Sequence, residues 1–176
     1  MFRKLKKSYK GLDAKQGKDL HVRFGVMNEG QFMGIAYNNA EVETSSIEDL
    51  LAKLPKDSFS VQFMSINHEV PPHVDNGINT VINIYTKTGG YTTTFHKAKE
   101  GATKHRLPNQ DSGYVCQFHE VDNLESFIAE DGDAYILNVA ELHSVHSGSS
   151  QKREALCINT TLKFDEVIEL LGDAVS

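Results

Sequence analysis

The sequence has few of the residues that hold a chain together by means other than a core. Its two cysteines, Cys116 and Cys157, lie far apart and form no CxxC pair, which argues against a disulfide framework and against a zinc ribbon. Both are expected to be ordinary buried strand residues. Tryptophan is absent, there are four prolines, and the thirteen glycines are scattered, so no linker, repeat or low-complexity tract divides the chain. No apolar run is long enough for a secretory signal or for a membrane span of roughly 18 residues, and the expectation is a protein that stays in the cytoplasm. Positive charge is also scarce. With 18 Lys and Arg against 24 Asp and Glu, the net charge of −6 argues against a dedicated nucleic-acid binder, which needs a basic surface. The one basic cluster, Arg3, Lys4, Lys6, Lys7 and Lys10 with Phe2, Leu5 and Tyr9 between, reads as a solvated, partly ordered terminus rather than a site for an anionic partner.

What is present is globular. The apolar and charged fractions, 39% and 24%, suit a single domain over 1–176, with a core at about 58–164, a flanking N-terminal segment and a C-terminal helix. Ser45 and Glu48 have capping-box spacing, and Ile47, Leu50, Leu51 and Leu54 recur on one face before Pro55, which predicts a helix there. From Ser58 the period becomes two, as in 58–66. Residues 80–86 and 91–96, with Gly89 and Gly90 between them, read as a hairpin. Further strands are expected at 113–120, 133–139 and 155–162. A helical turn is expected at 123–129 behind Asp122 and Glu125, and a closing helix behind Asp165, with Val167, Ile168, Leu170 and Leu171 on its apolar face and Gly172 at its end. The fold class that follows is mainly β, a double-sheet jelly roll of the cupin-like kind with peripheral helices. An immunoglobulin-like sandwich is the rival, but it would not need those helices.

The chemistry begins at Pro71-Pro72-His73-Val74-Asp75. In extended chain, i and i+2 point to one side, so an imidazole and a carboxylate share a face. Eight His and eleven Asp in 176 residues yield about half an HxD by chance, so the pair needs support. Support comes from Leu142-His143-Ser-Val-His146, 68 positions on (143 − 75), where a third ligand can come from a strand distant in sequence. Two His and one carboxylate suit non-haem Fe(II). His143 and His146 are at odd separation, so only one can face the metal. His143 is chosen because Arg153 follows ten positions later (153 − 143) across a turn-rich stretch that would return it beside the pocket. A guanidinium grips a carboxylate with two parallel hydrogen bonds, which Lys cannot do. Asn83 and Tyr85, alternating on the strand after the HxD, are candidates for contacting a co-substrate. Thr93, Phe95 and Asn138 are similar candidates. His68 and His96 lie nearer the expected mouth, whereas His21, His105 and His119 lack a partner at ligand spacing.

His73-x-Asp75, the distal His143 and Arg153 together resemble the 2-oxoglutarate and Fe(II)-dependent oxygenases, nearest the aspartyl/asparaginyl hydroxylase-like branch. The resemblance covers about Val61 to Leu162, and it departs from some members of that branch in retaining the carboxylate ligand. It implies a double-stranded β-helix. It also implies His73, Asp75 and His143 as catalytic metal ligands and Arg153 as the 2-oxoglutarate anchor. The implied reaction hydroxylates a C–H bond of an unidentified substrate, consumes dioxygen, and releases succinate and carbon dioxide. Two other readings stay open: a cupin-type metal enzyme that does not use 2-oxoglutarate, and a non-catalytic jelly-roll binding protein.

Overall fold

Alternation of β-branched and aromatic residues with polar ones makes strands of most of the chain. The computed structural model describes residues 1–28, 31–42, 44–106, 111–146 and 151–176, with side chains described outside 15–44. Two antiparallel sheets face each other. The larger runs β1 (Phe2–Lys4), β10 (Ala134–Asn138), β6 (Thr80–Lys87), β12 (Arg153–Thr160), β4 (Phe59–Ile66), β3 (Gln31–Val42) and β2 (Ala14–Asn28). The smaller runs β8 (Tyr114–Val115), β5 (Val70–Val74), β11 (His143–His146), β7 (Thr92–Ala98) and β9 (Val121–Ile128). This is a jelly roll of the cupin-like, double-stranded kind, with short helices α1 (Glu48–Leu51) and α2 (Phe164–Leu171) at its periphery. Among the described residues no helix is long and apolar enough to cross a membrane.

Strand β6 shows how the layers form. Its six residues from Thr80 to Tyr85 are all buried, because successive side chains enter different cores. Val81 and Tyr85 join the core between the sheets. Ile82 and Ile84 point outward and are covered by Leu5, Tyr9, Ile47, Leu50, Leu54, Val167 and Leu171. That second layer explains the N-terminal segment. Far from being solvated, Leu5 and Tyr9 are buried, Lys4 pairs with Asp133 at 2.7 Å, and Lys7 pairs with Asp49 at 2.9 Å.

Several expectations are corrected. Residues 123–129 do not form a helical turn; 123–128 belong to strand β9 along the free edge of β7. Their period is two, with Val121 and Phe127 buried and Leu124, Ser126 and Ile128 exposed, and the open edge outweighs local capping chemistry. Residues 80–86 and 91–96 are not a hairpin. Both edges of β6 are taken by β10 and β12, so the turn at Gly89 (φ 57°) and Gly90 (φ 72°) carries the chain from one sheet to the other. Expected strand 113–120 is only two residues long, and Cys116 lies in the buried loop after it. Glu48 opens α1, whose N-cap is Ile47 without a side-chain bond; Ser45 lies in the preceding 3₁₀ turn because Ile47 is drawn into the core. In α2 the cap is Lys163, whose backbone N–H donates to Glu166 Oε2 at 2.7 Å, so Asp165 is already inside the first turn. Strands β1 to β3 precede Ser58, where none was expected.

Candidate metal centre

Strand β5 ends in Pro71-Pro72-His73-Val74, and Asp75 follows at the start of the loop to β6. Hydrogen bonds pin this end of the chain: Asp75 N donates to Val139 O at 3.0 Å, and Cys116 N donates to Pro72 O at 2.8 Å. The neighbouring strand β11 sets His143 directly opposite His73, with ring centroids 4.2 Å apart. Among the described residues, His73, Asp75 and His143 form a trio whose donor atoms all lie within 4.8 Å of one another. Three residues separated by up to seventy positions are thus gathered by one strand pairing and one i, i+2 step.

The orientation of both imidazoles is set by the backbone. His73 Nδ1 lies 2.8 Å from Pro71 O, and His143 Nδ1 lies 2.9 Å from Glu141 O. A carbonyl oxygen only accepts, so each Nδ1 carries the hydrogen and each Nε2 is left with a lone pair. His73 Nε2 then stands 3.4 Å from Asp75 Oδ1. A lone pair facing a carboxylate oxygen at that range calls for a positive charge between them, and the donor set of two imidazole nitrogens and one carboxylate fits a divalent transition metal. The electrostatics agree. Burial, with neighbouring His73 adding to it, pushes His143 down to about 3, so this imidazole stays neutral.

Arg153, the first residue of β12, is the largest fully buried side chain described, at 2% exposure. Its Nη2 donates to Thr93 Oγ1 at 2.8 Å, and its Cζ sits 4.5 Å from the centroid of the Tyr85 ring. Its Nη1 is buried with no hydrogen-bond partner, and among the described residues no carboxylate pairs with it. Asn83, also buried, donates from Nδ2 to Tyr85 Oη at 3.4 Å, while its Oδ1 has no partner. These groups share one cavity with the trio. Its free space is about 490 Å³, part of it open to solvent, with Met64, Ile66, Val70, Leu137, Val139 and Val145 supplying an apolar wall.

The remaining candidates separate cleanly. Thr93 lines the cavity and holds Arg153, Phe95 packs against the His143 ring at 5.8 Å, and Tyr85 acts through its ring face. Asn138 points the other way, into an outer groove with Arg3 and Lys163, because Leu137 takes the inward position beside it. His146 faces away from the trio, its Nε2 3.2 Å from Ser144 Oγ and its Nδ1 3.8 Å from Glu69 Oε1. His96 lies on that same reverse face, with Nε2 2.7 Å from Ser144 Oγ. His68 bonds Asn67 outside the cavity, His105 and His119 are exposed, and the side chain of His21 lies outside the described residues. Sequence reasoning missed Asn159, which lines the cavity and donates to Gln62 Oε1 at 2.9 Å. The signal was available: Arg153, Ala155, Cys157 and Asn159 alternate on one face of β12.

Comparison with known proteins adds the fold. No family model and no curated protein matches the sequence. Among solved structures, E. coli ycfD matches with a TM-score of 0.53 at 15% identity over 87% of this chain. The chain spans 45% of the length of ycfD. An oxidoreductase of the 2OG-Fe(II) oxygenase family from Burkholderia pseudomallei matches with a TM-score of 0.42 at 10% identity, over 87% of this chain and 75% of that one. Vicilin from hazelnut, Corylus avellana, matches with a TM-score of 0.39 at 13% identity, over 81% of this chain and 30% of that one. At these identities the likeness to ycfD is one of fold.

Proposed function

We propose that this chain is a non-haem Fe(II) and 2-oxoglutarate-dependent oxygenase that hydroxylates a C–H bond of its substrate and releases succinate and carbon dioxide. His73, Asp75 and His143 would hold the iron, with Arg153 holding the far carboxylate of 2-oxoglutarate, Asn83 lining its site and Tyr85 backing the guanidinium. The observation that carries this reading is the unpaired Nη1 of a fully buried guanidinium in the same cavity as the donor trio. Burying a cation without its counter-charge costs several kcal/mol, and a carboxylate ligand offsets that cost by bidentate pairing. A cupin-type metal enzyme with no carboxylate co-substrate has no use for such a group.

The residues of the chain divide the work. Thr93 and the Tyr85 ring fix the plane of the guanidinium, so the co-substrate meets a preset fork. Three protein donors on one side leave the other coordination positions to small molecules. When bound, iron would bring dioxygen and 2-oxoglutarate into reaction, and loss of carbon dioxide from the keto acid supplies the two electrons that hydroxylation needs. The apolar wall lowers the polarity of the cavity around the three donors.

The test is calorimetric titration of Fe(II) under anaerobic conditions, followed by incubation in air with 2-oxoglutarate and measurement of succinate. One equivalent of iron and iron-dependent succinate are expected. Arg153→Ala should keep the iron and weaken 2-oxoglutarate binding by roughly 30-fold or more. Iron binding with no succinate, and no change in Arg153→Ala, would favour the cupin-type enzyme.

A further inference from the structure

Resting on that reading, the structure also bears on which substrate is oxidised and from where it approaches. The start of β6 and the end of β12 lie side by side, Thr80 opposite Thr160, and Asn79 N donates to Thr160 O at 3.1 Å. Asp75 opens the loop that runs into this end of β6, so the donor trio lies toward the Thr160 end of β12 and Arg153 at its other end. The cavity therefore has an inner pole at Arg153 and an outer pole at Asp75 and Asn159.

Beyond the outer pole lies a groove of about 530 Å³ formed by residues 57–60, Gly77, Ile78 and residues 159–161. Asn159 lines both the groove and the cavity, so the two spaces meet at this residue. The groove's lining sets Phe59 and Ile78 among short polar side chains. The Ser58 hydroxyl donates to Pro55 O at 2.7 Å and the Thr160 hydroxyl donates to Ser58 O at 2.7 Å, so these groups are already committed. Among the described residues, the only formal charge on the lining is the carboxylate of Asp57, an exposed residue held in the left-handed region at φ 66°. Neither Lys nor Arg lines it among the described residues.

We infer that this groove is the substrate's route to the metal, and that the substrate presents a cationic group, an amine or guanidinium such as a lysine or arginine side chain, to Asp57 while its reacting carbon passes Asn159. An anionic substrate would meet a carboxylate and no compensating cation. Glu141 and Asp165 lie in a separate groove with Arg3 and Lys163, where the charges of both signs are mixed and favour neither kind of ligand.

The test uses N-acetyl arginine amide and N-acetyl glutamate amide as probes, titrated into the full chain and followed by amide NMR, first without metal and then with Fe(II) and 2-oxoglutarate under anaerobic conditions. The arginine probe should shift the amides of Ser60, Gly77 and Thr161 and bind more tightly than the glutamate probe. Asp57→Asn, which tolerates the same backbone, should weaken it roughly threefold, as suits an exposed pair. Glu100→Gln, an exposed acid elsewhere, should leave it unchanged. On loading iron, the probe's own resonances should broaden. Equal binding of both probes, shifts that map elsewhere, or no effect of Asp57→Asn would overturn the groove assignment. Failure to bind iron would instead sink the oxygenase reading, while the metal-free arm still decides the groove.

Discussion

Arg153 is the residue whose energetics are hardest to reconcile with a chain that binds nothing. A fully buried guanidinium with one unpaired nitrogen destabilises the empty fold, since apolar side chains of similar volume in place of buried charges are often neutral or stabilising. Arg153→Met should therefore raise the melting temperature of the ligand-free chain, by a gain of about 1–3 kcal/mol, while abolishing 2-oxoglutarate binding. Thermal melts with and without 2-oxoglutarate check both halves: the co-substrate should stabilise the wild type by mass action and leave the variant unmoved. At the two competing histidines, His143→Ala should lose iron and His146→Ala should keep it, measured by metal analysis after anaerobic desalting. The clustering of His73, Asp75 and His143 was legible because i, i+2 spacing and the odd separation of His143 and His146 survive any choice of register. Tyr85 was legible by position but not by role, because nothing in its spacing announces a ring face beneath a guanidinium. Asn138 was misplaced because a one-residue uncertainty at the end of β10 turns a side chain from one face to the other.

Among the elements, the joints between sheets are more demanding than the strands. Gly132 has φ 92°, and a Cβ there would lie 2.7 Å from the Lys10 backbone, just where Tyr9 N donates to Gly132 O at 2.7 Å. Gly132→Ala should cost about 2 kcal/mol or more by expelling the N-terminal segment, seen as a lower denaturant midpoint. Strand β1 is short but anchored by Phe2, whose ring lies 4.5 Å from that of Phe127 and 5.9 Å from that of Tyr135. Strands with plain alternation, such as β4, β10 and β12, could be read from the sequence within a few residues. Strand β9 could not, because Asp122 and Glu125 imitate a helix start and only the open edge of β7 decides the matter. Strands β2 and β3 were not expected, although Leu20, Val22, Phe24 and Val26 alternate along β2.

For the whole molecule, the outer face of the seven-stranded sheet makes the flanks part of the fold. Leu5, Tyr9, Ile47, Leu50, Val167 and Leu171 cover Ile82, Ile84, Ile136, Leu156 and Ile158, so a fragment restricted to residues 58–164 would expose a broad apolar face. We propose that 1–176 folds as one unit. That fragment should fail to give a dispersed amide spectrum, whereas the full chain should give one. The jelly roll was legible from strand count and peripheral helices, but which strands pair across the two sheets was not, because turn residues such as Gly89 and Gly90 serve equally for a hairpin and for a crossing between sheets.

The most direct test of the account is a crystal structure of the chain grown anaerobically with Fe(II) and N-oxalylglycine. The account predicts one ion at roughly 2.0–2.2 Å from Nε2 of His73, Nε2 of His143 and an oxygen of Asp75, with the far carboxylate of the inhibitor paired with Arg153 Nη1. An ion held by His146, no ion between the three donors, or an Arg153 that the inhibitor does not reach would contradict it.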